Sequence, residues 1–391
     1  MTSRATLVVA PRGVGRLRAG HPWIFRSDTR DADSGEAGLV RLVDERGKGL
    51  GTALFSPASE IRARWLAAEG TAVDGAWWKA MVAAALERRR GITDGAFRAV
   101  HAEGDGLPSL IVDRYGDSCV AQLLSAGLEA VRDDVIAAIR DVMAPRGLLL
   151  RNDAAVRERE RLPRETTLAF GEVPQEIEIS EAPGVKYLAA PWTGQKTGAF
   201  LDQRENRRLV GSLVRPGGRC LDAFAYHGNF ALQLAAGGAR EVVAVEISAD
   251  AVERIGRNAA LNGCAAVRTA QANAFDWLKE TAAAGERFDV VVLDPPAFAR
   301  DRRSLDRALA GYKEINLRAM QLLAPGGLLF TASCSHHVHR GDFFAMLADA
   351  AGDSGRRLQL LEIRGAGSDH PEIVTIPETG YLKAALLRAT D

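Results

Sequence analysis

The sequence predicts an α/β protein with a parallel sheet in its C-terminal half, a β-rich module at the N-terminus and an α+β module between them. Three observations carry this reading. From about Pro191 onward, short apolar strands alternate with helices of about 10 to 15 residues, the rhythm of right-handed βαβ units. Residues 1–72 hold short β-like runs separated by glycine-rich turns. Residues 73–190 read as strand, strand, helix, strand, strand.

The chain has 391 residues, enough for roughly two to three domains, and the composition shifts divide it at 1–72, 73–190 and 191–391. With 47% apolar and 26% charged residues and a mean hydropathy of −0.08, it is neither disordered nor collagenous. No apolar run approaches the roughly 18 residues of a spanning helix, and arginines interrupt the segment up to Arg18, so a cytoplasmic protein is expected. Lys plus Arg and Asp plus Glu both number 50, so bulk charge neither attracts nor forbids nucleic acid. Cys119, Cys220, Cys264 and Cys334 lie far apart, without zinc or disulfide spacing, so reduced thiols and no metal are expected.

In the first module, Gly38 to Val43 and Ile61 to Leu66 read as strands, with the turn Arg46 to Gly51 between them. Ala76 to Arg90 reads as a helix, its Arg88 to Arg90 end as solvated. Strand-like runs follow at Arg98 to His101 and Leu110 to Leu124, then a helix from Leu128 to Met143. Gly147 to Arg151 and Glu176 to Ser180 read as strands, flanking the charged run Arg157 to Arg161, a solvated loop or helix face. In the last module, strands are expected at Arg219 to Ala223, Glu241 to Glu246, Phe288 to Asp294 and Gly327 to Ser333. Val290 to Leu293, wholly apolar, marks a strand buried on both faces. A helix near Asp342 to Ala351 leads to a closing hairpin, Leu358 to Ile363 with Tyr381 to Leu387.

Ligands of open α/β sheets sit at the carboxyl ends of the strands, so four strand ends stand out. Asp222 to Phe230 runs from strand into helix with Gly228 where backbone must approach a ligand closely, or simply turn. Neither G-x-G-x-x-G nor a P-loop is present, against a dehydrogenase or a P-loop enzyme. Glu246, 24 residues after Asp222, stands where an acid accepts ribose hydroxyls. Asn273 suits either an adenine edge or a helix N-cap. Asp294-Pro295-Pro296 follows the buried strand, its prolines fixing an extended turn.

These four strand ends, in this order, resemble the class I S-adenosylmethionine (SAM)-dependent methyltransferases, whose C-terminal sheet is Rossmann-like. Together with Gly20 to Phe25, Lys196 to Arg204, Asn258 to Asn262 and Ser333 to Ser335, they resemble the RlmI-type 23S rRNA (cytosine-C5) methyltransferases over nearly the whole chain. The resemblance implies an N-terminal PUA domain, a central EEHEE domain and a catalytic domain. It implies SAM bound by Asp222, Phe224, Tyr226, Gly228, Glu246, Ile247, Asn273, Ala274, Asp294 and Gln203. Asn273 stands where family members often carry Asp, and His227 and Asn229 where Thr and Gly are usual. The implied partner is 23S rRNA, naked or in an assembly intermediate, with no DNA and no membrane, and a homodimer is left open.

C5 of cytosine is a poor nucleophile, so a methylase first adds a thiolate at C6 to activate it. Cys334, in Ser-Cys-Ser after an apolar strand, resembles the catalytic cysteine of that chemistry. Asp294 is the second catalytic candidate, stabilising the adduct through the base. Many RNA enzymes of this chemistry carry a second cysteine directly after Asp-Pro-Pro, where this chain has Ala297. His336, His337 and His339 are proton acceptors by type or a polar loop. RNA contacts are expected at Lys196, Arg204, Pro295, Pro296 and Phe298, with Phe200 and Arg300 to Arg303 as further candidates. Two rivals stay open: methylation of a base nitrogen, which needs no adduct, and a non-catalytic RNA-binding factor.

Overall fold

The computed structural model describes residues 5–30, 35–299 and 302–391, without the side chain of Arg302. The chain forms two compact units: residues 1–179, 189–201 and 368–379 in the first, and 180–188, 202–367 and 380–391 in the second.

The first unit holds two sheets. A six-stranded one runs in the order Trp23–Phe25, Ile61–Ala67, Gly49–Phe55, Gly38–Asp44, Thr6–Val9, Thr29–Arg30, with the helix Pro11–Arg18 beside it. Its core is Leu7, Val9, Val14, Ile24, Val40, Leu42, Ala53 and Phe55. Gly51, with φ +124°, lets its strand lie against Ile61–Ala67, because a Cβ there would stand 2.0 Å from the Ala67 carbonyl oxygen. The second sheet runs Glu165–Gly171, Gly147–Asn152, Ser118–Leu123, Leu110–Tyr115, Ala96–His101, with the helices Gly75–Glu87 and Arg132–Met143 packed together. The expected single run from Leu110 to Leu124 is thus two antiparallel strands, because Gly116 with φ +56° permits a tight turn.

Two charged runs are solvated as expected at Arg88, Arg90, Glu158, Arg159 and Arg161, but not at three other positions. Arg89 is buried: its guanidinium donates to both oxygens of Asp105, at 2.6 and 2.7 Å, and to the Asp369 carbonyl at 2.7 Å. Arg157 is fully buried too, donating to Glu129 and to the carbonyls of Leu123 and Pro163. Glu160 accepts from Arg64 at 3.0 Å and Ser59 at 2.6 Å. Charged groups go inside when every polar atom finds a partner, and here the partners come from other elements.

The second unit is a doubly wound sheet whose elements are β1 (Arg219–Ala223), α1 (Asn229–Ala236), β2 (Glu241–Glu246), α2 (Ala249–Leu261), β3 (Val267–Gln271), α3 (Ala274–Ala283), β4 (Phe288–Leu293), α4 (Leu305–Gln321), β5 (Leu323–Ser333), α5 (Arg340–Ser354), β6 (Leu358–Arg364) and β7 (Lys383–Ala389). The strand order is β3-β2-β1-β4-β5-β7-β6. The first five strands are parallel, and β7 lies antiparallel between β5 and β6. Val290 to Leu293 are at most 1% exposed, as a central strand covered on both faces requires. The order reverses between β1 and β4, the switch point at which open α/β sheets bind ligands.

Candidate active site

At the end of β1, Asp222 is 1% exposed. Its Oδ2 accepts from the Ala231 N–H at 2.9 Å, while its buried Oδ1 has no hydrogen-bond partner among the described residues. Burial pushes its pKa up to about 8, reinforced by the negative charges of Asp294 and Glu246. The loop that follows is strained: Phe224, Tyr226 and Gly228 have φ of +66°, +49° and +79°. Left-handed backbone at two aromatic residues costs free energy that neighbouring contacts must offset, a pattern that clusters at sites. The offsets are visible. Tyr226 N–H donates to Glu246 Oε2 at 2.8 Å, and Asn258 Nδ2 donates to the His227 carbonyl at 2.9 Å.

Glu246 ends β2, its Oε1 accepting from the N–H groups of Ile247 and Ser248, both at 2.9 Å. Three backbone donors therefore aim the carboxylate while each oxygen keeps acceptor capacity. Ile247 is 65% exposed, unusual for a large apolar side chain beside a strand end. Asn273 caps α3, its Oδ1 accepting from Phe275 N–H at 2.9 Å, so the N-cap alternative is realised, and its exposed amide keeps two donors. Ala274 is buried behind it.

The half-buried Asp294 follows β4, and its Oδ1 accepts from Gln203 Nε2 at 2.9 Å. Gln203 is held in turn by Asn206 Nδ2 at 2.7 Å, and Asn206 by Arg364 Nε at 2.9 Å. Cys334 follows β5, half-buried, with its Sγ 4.0 Å from the Pro295 carbonyl oxygen. The adjacent-strand ends thus bring Asp294-Pro295 and Cys334 together. Ser335 fixes the turn: its Oγ lies 2.9 Å from the Tyr312 hydroxyl and accepts from Ala299 N–H at 3.2 Å. Lys383, buried in β7, donates to the Ser335 carbonyl at 2.6 Å. Burial raises the Tyr312 pKa above that of a free phenol, which keeps its O–H intact. Lys383, Tyr312 and Asn206 escaped the sequence reading. A lysine heading the otherwise apolar run Lys383–Leu387 was the one available signal.

The other thiols are unsuited to nucleophilic work. Burial pushes Cys119 and Cys220 up to about 12 and raises Cys264. His336 and His337 are exposed, His336 with its ring 5.6 Å from Tyr381, whereas His339 caps α5 against Asp342. Phe298 packs into a cluster with Tyr312, Phe275 and Phe224, at centroid distances of 4.5, 5.6 and 6.4 Å. Pro295 is buried and Pro296 exposed. Arg204 is only 2% exposed and lies beside Glu205, so its charge is met inside the fold rather than offered at the surface. Lys196 is exposed in the first unit, its Nζ 4.5 Å from the Phe200 ring centroid. Arg300 lies outside the described residues.

The strand-end residues fit a cationic nucleoside. The unpartnered Asp222 Oδ1 offers a buried acceptor for an ammonium, and Gly228 keeps the turn open, since a Cβ there would meet Ile255 at 3.0 Å. The acceptor carboxylate of Glu246 lies one strand away, and the exposed Ile247 offers an apolar surface for a base.

Two family models match: S-adenosylmethionine-dependent methyltransferase over residues 156–388 and PUA-like domain over 7–68. The ribosomal RNA large subunit methyltransferase I of Aeromonas hydrophila subsp. hydrophila is 40% identical over 381 residues, covering 94% of this chain and 95% of its own. Its counterpart from Klebsiella pneumoniae (strain 342) is 37% identical over 393 residues and 98% of each chain. A methyltransferase crystallised with SAH shares the fold at a TM-score of 0.85 and 21% identity, covering 98% of this chain and all of its own. A SAM-dependent methyltransferase from Streptococcus mutans does so at 0.82 and 19%, with the same coverage. SAM is accordingly the cofactor. The chain belongs to the ribosomal RNA large subunit methyltransferase I family, built from a PUA-like domain and a SAM-dependent methyltransferase domain.

Proposed function

We propose that the protein transfers a methyl group from SAM to C5 of a cytosine in 23S rRNA through an adduct on Cys334. The observation that carries this reading is the pairing of a half-buried Cys334 with Asp294-Pro295 at adjacent strand ends, 4.0 Å apart at Sγ and the Pro295 carbonyl. Nitrogen methylation has no use for a thiol there.

Bound SAM supplies an electrophilic methyl group on a sulfonium. Asp222, Tyr226 and Gly228 take the methionine end, with Phe224 and Gln203 beside it. Glu246 takes the ribose, and Ile247, Asn273 and Ala274 the adenine. Cys334 Sγ, deprotonated to water, would bond to C6 of the cytosine; the C5 electron pair would take the methyl group as its bond to the sulfonium breaks and leaves a thioether, and loss of the C5 proton to water would expel the Cys334 thiolate and restore the aromatic ring. Asp294, steadied by Gln203, holds the base while charge shifts through it. Pro295 and Pro296 shape the floor under the base, Phe298 supports it from the aromatic cluster, and Lys196 takes a backbone phosphate. The proposed domains are 1–72, PUA-like and RNA-binding, 73–190, and 191–391, catalytic. The proposed setting is the cytoplasm, with the RNA naked or in an assembly intermediate.

The test is transfer of labelled methyl from SAM to 23S rRNA lacking its modifications, by wild type and Cys334→Ala, followed by digestion to nucleosides. Label in 5-methylcytidine that vanishes in the variant supports the reading. Label in another nucleoside, or transfer that survives the substitution, overturns it in favour of nitrogen methylation.

A further inference from the structure

Cys334 makes the bond to C6 and Asp294 holds the base, but neither takes up the C5 proton. The turn that follows Cys334 carries a group that can. The Ser335 carbonyl accepts from the Val338 N–H at 3.2 Å, so His336 and His337 are the two central residues of a tight turn. Both ends of the turn are sunk in the fold, Ser335 fully buried and Val338 only 1% exposed, and both histidines stand exposed at its tip.

The two histidines differ in what fixes them. The His336 ring lies 5.6 Å from the Tyr381 ring at an interplanar angle of 33°, whereas His337 makes no ring contact among the described residues. His339, the third of the cluster, is committed to capping α5, its N–H donating to Asp342 Oδ2 at 3.1 Å.

Tyr381 is anchored at both ends. Its hydroxyl donates to Asp202 Oδ2 at 2.6 Å, and its carbonyl accepts from Lys383 Nζ at 2.8 Å. The same ammonium donates to the Ser335 carbonyl at 2.6 Å, so it ties the turn and Tyr381 together. Asp202 is the chain neighbour of Gln203, whose amide donates to Asp294 Oδ1 at 2.9 Å. Two adjacent residues therefore fix the base-holding carboxylate, through Gln203, and the platform under His336, through Asp202 and Tyr381. Cys334 stands two residues before His336, its Sγ 4.0 Å from the Pro295 carbonyl oxygen. Contacts from both sides thus set His336 at the rim of the site that holds the cytosine.

We infer that His336 is the general base of the methyl transfer, taking the C5 proton from the water that removes it. The inference rests on the reading of the protein as a cytosine-C5 methyltransferase. Once C5 is methylated and C6 carries Cys334, the C5–H bond breaks and its electron pair forms the C5–C6 double bond. The C6–S bond breaks in the same step, and its pair leaves with the Cys334 thiolate. Water passes the proton to the neutral His336 ring, which becomes imidazolium and, being exposed, gives the proton up to solvent. Imidazole is the side chain that both takes and releases a proton near neutral pH.

The experiment uses the full chain, SAM with a labelled methyl group and an unmodified 23S rRNA fragment, with free and protein-bound RNA separated under denaturing conditions. In wild type the label is expected in free RNA. In His336→Ala the methyl group is still transferred, but release slows about 100-fold, the scale of one general base, and label accumulates in RNA bound to the denatured protein. Added imidazole is expected to restore release. His336→Gln, which keeps a planar polar side chain against Tyr381 but accepts no proton, is expected to accumulate the same adduct. His337→Ala is expected to release product at the wild-type rate.

Release from His336→Ala at the wild-type rate, full activity in His336→Gln, equal accumulation in His337→Ala, or a slowed reaction without protein-bound label overturns the inference. Should His336→Ala fail to fold, His336→Gln decides. With the label in 5-methylcytidine, any of these outcomes removes the role of His336 alone and leaves the C5 reading standing. Label in another nucleoside overturns the C5 reading itself, and the inference with it.

Discussion

Lys383 donates from Nζ to the Ser335 carbonyl at 2.6 Å and to the Tyr381 carbonyl at 2.8 Å, so an ammonium only 4% exposed ties the turn after Cys334 to β7. Lys383→Met removes both donors and leaves buried carbonyls unpaired, a cost of about 1–3 kcal/mol in urea unfolding. The larger effect is expected in kcat for methyl transfer, down about 100-fold through misplacement of the thiol, with the KM for SAM little changed. Steady-state kinetics beside an unfolding curve separate the two, and an unchanged kcat would contradict the tether.

Asp222 has a folded-state pKa of about 8 against an ordinary 3.8. Its contribution to stability is therefore fully present below about pH 4, where it is protonated in both states, and is lost as pH rises through about 8. Without SAM, the Tm of wild type relative to Asp222→Asn is expected to fall from about pH 5 to pH 8.5, followed by scanning fluorimetry. The same variant is expected to bind SAM about 10- to 100-fold more weakly, as loss of a charged hydrogen bond predicts. A pH-independent gap in Tm would contradict the raised pKa.

Gly228 combines φ +79° with a Cβ position 3.0 Å from Ile255. Gly228→Ala is expected to cost about 1–2 kcal/mol of stability from backbone alone. SAM affinity, measured by calorimetry, is expected to fall as well, because the turn must shift to relieve Ile255. Wild-type affinity in the folded variant would show that the turn tolerates a side chain.

Asp105 receives Arg88, both arms of Arg89 and the His101 N–H at 2.6 Å. Asp105→Ala leaves Arg89 buried without its carboxylate, and the expected loss is about 3–5 kcal/mol in chemical denaturation. A loss below about 1 kcal/mol would place this pair with exposed ones.

Much of the catalytic sheet is legible in the sequence because parallel strands buried on both faces read as unbroken apolar runs, Val290 to Leu293 most plainly. Strand ends are legible too at Glu246 and Asp294, which follow Val242 to Val245 and Val290 to Leu293, whereas the strand before Asn273, Val267–Gln271, is polar and has no buried residue. The left-handed backbone at Phe224 and Tyr226 is not, because nothing local favours it and the Glu246 and Asn258 contacts that hold the loop come from α2 and β2. Arg89 and Arg157 read as solvated for the same reason. Their partners Asp105, Asp369, Glu129 and the Leu123 carbonyl are 16, 280, 28 and 34 residues away.

By itself, then, the sequence determined the order of modules, the sheet at the C-terminus, and the acids and the cysteine that stand at its strand ends, because periodicity and spacing are local properties of a chain. Only the tertiary structure decided which polar groups meet. It paired Gln203 with Asp294, set Lys383 behind Cys334, left one oxygen of Asp222 without a partner among the described residues, and drew Gly20 to Pro22 into a cavity with Glu103. A buried polar atom is stable only beside its complement, and that complement is chosen by packing between distant segments.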